Sequence, residues 1–354
     1  MHLHSKRIAL AIILAVFSAV DAALAQAPDS STALLNPRAI APNILTGKVY
    51  TVAPNENAVL VFHPDTNSIN RVPVGISPVA LAVNPKTDRI YVANSGSGSI
   101  SIIDGTADSV IATLDVGSNP YVLAADAVSN RIFVSNTFSD ALTIIDGATN
   151  SISKLRTGSA DAIAIDEERS KVFLLGYEDE NLTVLDEKLL TLSRIKVGMH
   201  QWGIALDLDK KVIYVTRSGN ADLAVIDELT GGVTTMPTGA IPCALALNPT
   251  TNKLYVVNHA ADSLTALDAD KHTVLRTIDV GHRPQGIAVD STRNRIYIAN
   301  RNDNSISVID GAQNKVISTV PAGRNPFALA IVPSTGQLFA ASIGSPSMTA
   351  IRIK

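Results

Sequence analysis

One phrase returns eight times along the chain: a basic residue, an aliphatic one, an aromatic one, then more aliphatics. It stands as Lys48-Val49-Tyr50, Arg89-Ile90-Tyr91, Arg131-Ile132-Phe133, Lys171-Val172-Phe173, Lys211-Val212-Ile213, Lys253-Leu254-Tyr255, Arg295-Ile296-Tyr297 and Gln337-Leu338-Phe339. Successive third positions lie 41, 42, 40, 40, 42, 42 and 42 residues apart. In this register only Ile213 breaks the aromatic position and only Gln337 the basic one. A period near 40 means that each unit is one supersecondary module, and that neighbours must bury each other's apolar faces.

Three further segments surround each phrase. Upstream runs Pro-x-x-aliphatic-Ala, as in Pro78-Val79-Ala80-Leu81-Ala82-Val83 and Pro326-Phe327-Ala328-Leu329-Ala330-Ile331. Downstream is an alternating run ending in Asp, such as Ser101-Ile102-Ile103-Asp104, and then a fourth such as Val110-Ile111-Ala112-Thr113-Leu114. All are short, β-branched and bounded by Gly, Asn, Asp or Pro, as strands joined by tight turns are. Four antiparallel strands per unit predict an all-β propeller, occupying 26–354 as a single domain with units starting near 37, 78, 120, 160, 201, 242, 284 and 326. The count gives eight blades. The eighth unit ends after three strands, and the segment from Pro28 to Leu35 is expected to supply its fourth, leaving no open edge. A seven-bladed ring with one irregular terminal unit is the alternative.

Small residues two and four places after the proline (Ala80 and Ala82, Gly203 and Ala205, Gly286 and Ala288) suit strands crowded near an axis. Asp104, Asp146 and Asp310, each followed by Gly, share a position with Asp186, Asp227 and Asp268. They are read as turn formers, the Asp bonding its own backbone and the Gly supplying a positive φ.

The phrases Ile90-Tyr91-Val92-Ala93-Asn94, Leu254-Tyr255-Val256-Val257-Asn258 and Ile296-Tyr297-Ile298-Ala299-Asn300 resemble the YVTN repeat. The Ser-Ile-Ser-aliphatic-Ile-Asp and Val-Gly-x-x-Pro segments that follow deepen the likeness, which covers nearly all of 37–353. The resemblance implies the YVTN/YncE-like propeller family, whose exported members are regarded as binding or cell-surface modules without an established reaction. Two units depart from it: the fourth has Ala160-Asp161 where the proline is due, and the fifth has His200-Gln201-Trp202. With one tryptophan in 354 residues, neither WD nor tryptophan-docking repeats are present, and no quinone or other cofactor is expected.

The first residues read as an address. Lys6 and Arg7 precede an apolar run from Ile8 to Val20, then Ala23-Leu24-Ala25. This is the pattern of a cleaved signal peptide over 1–25, too short to span a bilayer in the usual way; an uncleaved anchor is the alternative. A periplasmic or secreted monomer is expected. One cysteine, Cys243, makes no intramolecular disulfide, and its position in a first strand reads as a small buried thiol. The formal charge of −3 offers no global basic surface for nucleic acid. No GxSxG, P-loop or HExxH motif is present.

In a closed ring, the loop leading into each first strand and the loop joining second and third strands open on one face. The repeat therefore brings distant residues to one channel mouth: His200, Trp202, Arg217, His259, His282, Arg283, Gln285, Arg301, Arg324 and Asn325. Phe138 and Tyr177 are added as stacking groups. Guanidinium forks suit carboxylate or phosphate, so the expected occupant is an anionic or sugar-like ligand, or a segment of an unknown protein partner. The chain is read as a binding module with no catalytic or metal residues assigned. The alternative is a metal-assisted hydrolase or lyase, lactonase-like, for which two of Asp161, Glu178, Asp179, Glu180 and Asp303 would have to group with His200, His259 or His282.

Overall fold

A computed structural model describes residues 40–137, 139–343 and 348–351. Apart from a short 3-10 turn at Pro54–Glu56, its regular elements are strands, grouped in eight antiparallel sheets whose strand order follows the chain. The sheets are blades 1 to 8, spanning 40–73, 78–115, 120–156, 162–196, 201–237, 242–279, 284–321 and 326–351. Blade 2 shows the pattern: Pro78–Asn84 innermost, then Arg89–Asn94, Ser99–Asp104 and Ser109–Asp115 at the rim. The three inner strands are almost wholly buried, while the fourth alternates between exposed and half-buried, because only one of its faces meets a neighbour.

Eight blades close into a ring. Val49 and Phe62 of blade 1 pack with Val332, Phe339 and Met348 of blade 8, and the Phe62 and Phe339 rings lie 4.8 Å apart. Blade 8 contributes Pro326–Val332, Gln337–Ser342 and Met348–Ile351. The fourth strand expected from Pro28 to Leu35 lies outside the described residues, as does the leader over 1–25. Near the axis the small positions are enforced by contact. A Cβ on Gly203 would stand 2.3 Å from the Cys243 carbonyl oxygen in the next blade, and one on Gly286 would stand 2.4 Å from that of Phe327.

The recurring basic residue is an inter-blade clamp. Lys48 of blade 1 donates to the Gly105 carbonyl of blade 2, Arg89 to Gly147 of blade 3, Arg131 to Glu187 of blade 4 and Lys253 to Gly311 of blade 7. Lys171 instead reaches the Glu228 carboxylate of blade 5 at 2.9 Å. Every acceptor follows the recurring Asp, so each clamp grips the same turn of the next blade. Arg295 turns to Asp310 of its own blade, at 2.8 Å.

Blade 5 corrects the sequence register. Val212 pairs with Asp207 and Tyr214 with Ala205, as Arg89 pairs with Asn84 and Tyr91 with Ala82. The aromatic position is therefore Tyr214, not Ile213, and it is fully buried like its seven counterparts. The basic position is lost to Val212, and Lys211 stands in the turn with φ 58°. The Tyr214 hydroxyl takes over, donating to the Ala269 carbonyl of blade 6 at 3.3 Å.

The Asp turns form as expected. In each of the six, Oδ1 accepts two successive backbone amides, such as Thr106 and Ala107 on Asp104. These bonds favour the charged form and hold the carboxyls of Asp146, Asp227, Asp268 and Asp310 below their ordinary range. The glycine reading is corrected. Positive φ falls later in the turn, at Asp108, Asn150 and Asn314, while Gly105, Gly147 and Gly311 are needed for room. A Cβ there would lie 2.1 to 2.4 Å from the side-chain oxygen of Asp88, Asn130 or Asn294.

Between blades 3 and 4 the scaffold buries two carboxyls. Asp126 and Glu187 are almost fully enclosed, and Asp126 Oδ2 and Glu187 Oε1 have no hydrogen-bond donor among the described residues. Burial first, and the Asp126 carboxyl second, push Glu187 up to about 7. Folding therefore takes up a proton there. The resulting stability is fully present below the unfolded value near 4.5 and is lost as pH rises through 7.

Two outcomes test these contacts. Lys253→Met removes a charge-assisted bond to a main-chain carbonyl and is expected to cost about 2 kcal/mol in chemical denaturation. Arg71→Met, which breaks the exposed pair with Glu56, is expected to cost less than about 1 kcal/mol. Glu187→Gln removes the titration, so its stability should gain on the parent by about 1–3 kcal/mol as pH rises from 5 to 8. Parallel pH profiles would show that Glu187 does not take up a proton on folding.

Candidate functional site

The mouth is built from one turn repeated around the ring. Just before the first strand, Ser77, Asn119, His200, Ile241, Arg283 and Asn325 adopt positive φ between 49° and 60°. Their carbonyls accept the amides of Ser95, Thr137, Ser218, His259, Arg301 and Ile343, which follow the second strands. Five expected site residues therefore occupy two facing positions of a structural turn: His200, Arg283 and Asn325 on one side, His259 and Arg301 on the other. Blade 4 lacks the proline and solves the turn differently. There the Asp161 carboxylate accepts the Tyr177 amide at 2.8 Å, in place of a backbone carbonyl.

After this turn the first strand bulges. The pairing with the second strand slips next to Val79, Tyr121, Trp202, Cys243, Gln285 and Phe327. Such an extra residue re-aims side chains at the rim of a sheet. Trp202, Cys243, Gln285 and Phe327 are all more than nine-tenths buried. Burial pushes the Cys243 thiol up to about 12, and Sγ lies 3.5 Å from the Val257 carbonyl oxygen, so this is an inert packing thiol.

The asparagine that ends the second strand locks the two loops together, a role the repeat pattern alone did not disclose. Asn258 donates to Ser263 and Thr265 and accepts the Gly239 amide; Asn300 donates to Ser305 and Ser307 and accepts the Gly281 amide. Arg217 fills this position in blade 5. Its Nε donates to Asp222 at 2.7 Å, its Nη2 pairs with the same carboxylate, and its Nη1 donates to the Val197 carbonyl at 2.7 Å. The structure thus commits the Arg217 fork to holding the loops.

The remaining candidates form two groups. In blades 6 to 8, His259 Nδ1 lies 3.1 Å from the Pro284 carbonyl oxygen, and the Arg283 amide donates to Asp262 at 2.8 Å. His282 Nδ1 lies 3.0 Å from Asp303 Oδ1, while the Asn325 amide donates to Asn304 at 2.8 Å. His282, Arg283 and Arg324 are exposed and Arg301 is half-buried. These residues stand on adjoining loops of three neighbouring blades, with Asp262 and Asp303 among them. Gln285 lies beneath them, buried, with no donor to Oε1 among the described residues.

In blades 4 and 5 the group is aromatic. The Tyr177 ring stands 5.0 Å from His200 and 6.0 Å from Trp202, edge-on to the indole. Phe138 lies outside the described residues. The acidic loop 178–180 is tied to the strands that follow it, Asp179 accepting the Asn181 amide and Glu180 pairing with Lys196 at 3.0 Å. Among the described residues no three His, Cys, Asp or Glu side chains are grouped as a metal ion requires, and His282 has one carboxylate neighbour, Asp303.

No family model matches the chain. It is 26% identical over 131 residues to the uncharacterized protein YncE of Salmonella typhimurium and to that of Salmonella typhi. Each match covers 36% of this chain and 36% of the relative. Among solved structures, hydrazine synthase of Kuenenia stuttgartiensis superposes with a TM-score of 0.61 at 18% identity, covering 93% of this chain and 99% of that one. The dihydro-heme d1 dehydrogenase NirN, in complex with DHE, superposes with a TM-score of 0.74 at 14% identity, covering 93% of this chain and 76% of that one. These likenesses show the fold. The chain is an eight-bladed β-propeller with a distant sequence likeness to YncE over about a third of its length.

Proposed function

We propose that this protein is an exported binding module whose docking surface is the cationic sector of blades 6 to 8. The observation that carries the reading is the grouping of His259, His282, Arg283, Arg301 and Arg324 on adjoining loops of a chain whose overall charge is −3. Backbone bonds fix these loops, so the guanidinium groups are presented from a preformed frame and little ordering accompanies binding. The natural occupant is an anionic small ligand or an acidic segment of a protein partner, gripped by charge-assisted bonds. The Tyr177, His200 and Trp202 group offers a second, aromatic contact on the same face. Export to the periplasm or beyond follows from the signal-like pattern over 1–25.

The test is recovery of the untagged protein from its native envelope, with mass spectrometry for proteins, metals and small molecules. An anionic molecule or acidic protein should accompany the parent and be lost from the Arg283→Ala, Arg301→Ala double variant. Stability should change by less than about 1 kcal/mol, as for surface substitutions. Equal recovery with parent and variant overturns the docking surface.

A further inference from the structure

The joint between blades 3 and 4 departs from the repeat on both of its sides. In blades 4, 5 and 7 the Asp that ends the first strand pairs with a base three residues on: Asp166 with Arg169 at 2.6 Å, Asp207 with Lys210 at 3.5 Å and Asp290 with Arg293 at 2.8 Å. Blade 3 has Asp126 in this place but Ser129 where the base is due. Asp126 Oδ1 accepts the Val128 and Ser129 amides at 2.6 and 2.9 Å, while Oδ2 has no donor among the described residues. The second departure is Glu187 of blade 4. The residue after the recurring Asp is Gly105, Gly147, Ala269 or Gly311 in blades 2, 3, 6 and 7, and in blade 5 it is Glu228, which Lys171 neutralises at 2.9 Å. Glu187 instead brings its carboxyl within hydrogen-bond reach of Asp126.

The charges around this contact do not balance. From blade 3, Asp126 and Arg131 face Glu187, and Arg131 Nη1 lies 3.7 Å from Glu187 Oε2 with its side chain 39% exposed. The Ser129 hydroxyl donates to the same oxygen at 3.1 Å. From blade 4 comes a third carboxyl, Glu167, which accepts the Ala127 amide across the joint at 2.9 Å. One distant, partly exposed guanidinium thus serves three carboxyls. Asp126 Oδ2 and Glu187 Oε1 are shut away from water without a donor, and no other buried carboxylate oxygen among the described residues is in that condition. A proton removes the conflict, because a carboxylic acid O–H donates to a neighbouring carboxylate. Without it, two negative charges meet where water cannot screen them.

We propose that Asp126 and Glu187 form a proton-operated latch, which holds blade 3 to blade 4 while one proton is shared between them and loosens this joint alone when the proton passes to water. The Glu187 carboxyl, raised to about 7 by burial and by Asp126, has an ordinary value of 4.5 once the joint opens. The latch is therefore complete below 4.5, weakens as pH rises above that value, and has lost its hold once pH has passed 7. The ring is tightest in acid, and its response to pH is confined to one of its joints. The latch is separate from the docking surface of blades 6 to 8 and stands or falls independently of it.

Hydrogen exchange of the full chain, followed by mass spectrometry at pH 5, 6, 7 and 8 and corrected for the intrinsic rate at each pH, tests the latch. Protection of the amides in 126–131 and 185–190 should fall about tenfold or more between pH 5 and pH 8. Protection at the joint of blades 6 and 7, read from 247–254 and 309–315, should stay constant. Glu187→Gln puts an amide donor beside Asp126 at every pH, so protection should remain at its acid level throughout. Ser129→Arg supplies the base that blades 4, 5 and 7 carry and should flatten the profile in the same way. If Glu187→Gln does not fold, Ser129→Arg decides. Constant protection at the joint of blades 3 and 4 in the parent, an equal fall at the joint of blades 6 and 7, or a fall that persists in the folded variant overturns the proposal.

Discussion

Each blade of this ring carries two apolar faces, and neither is covered until the neighbouring blade arrives. The first strands must approach so closely that main-chain oxygens of one blade touch the space a side chain would take in the next, as at Gly203 and Gly286. That approach leaves the turns on the lower face next to one another, with buried carbonyls that need donors. The recurring Lys or Arg answers this need. Its stem lies along the apolar joint while its head caps the turn of the following blade. Removing the head exposes no new water to the carbonyl, which explains why blade 5, lacking the cation, recruits the Tyr214 hydroxyl instead.

The architecture was legible in the sequence because its constraints recur. A basic-aliphatic-aromatic phrase every forty or so residues, small residues after most of the prolines and an Asp in the third turn of six units recur along the chain, so one exception does not hide them. The misplaced phrase of blade 5 shows the limit. Lys211-Val212-Ile213 satisfies the composition of the phrase, and only the pairing of Val212 with Asp207 reveals that the aromatic position has moved to Tyr214. Likewise the glycine after Asp looked like a conformational requirement. It is a steric one, set by a side chain in the preceding turn of the same blade, which no local pattern discloses.

The mouth was legible only as a set of addresses. Topology places His200, Arg283 and Asn325 at one position of a turn, and His259 and Arg301 at the position facing it. It does not say which side chains remain for a ligand. Arg217 illustrates the difference. As a residue type it matches Arg301, yet it stands one place earlier, at the end of its strand, and there the fork is drawn into Asp222 and the Val197 carbonyl. Gln285 is similar: three residues after the exposed His282, it lies on the bulged strand and is buried.

The two faces of the ring are under different pressures. On the lower face, six of the eight units place Asp at one position and keep the same pair of backbone bonds, and the clamps from blades 1 to 6 all end on the residue after that Asp. On the upper face the corresponding turn closes through a main-chain bond in six blades, with side-chain oxygens such as those of Asp262, Asp303 and Asn304 accepting neighbouring amides. Ser, Asn, His, Ile and Arg all occupy the residue with positive φ, although a β-branched side chain such as Ile241 is strained there. The residue type at that position therefore varies from blade to blade, whereas the lower turn keeps its Asp in six of them.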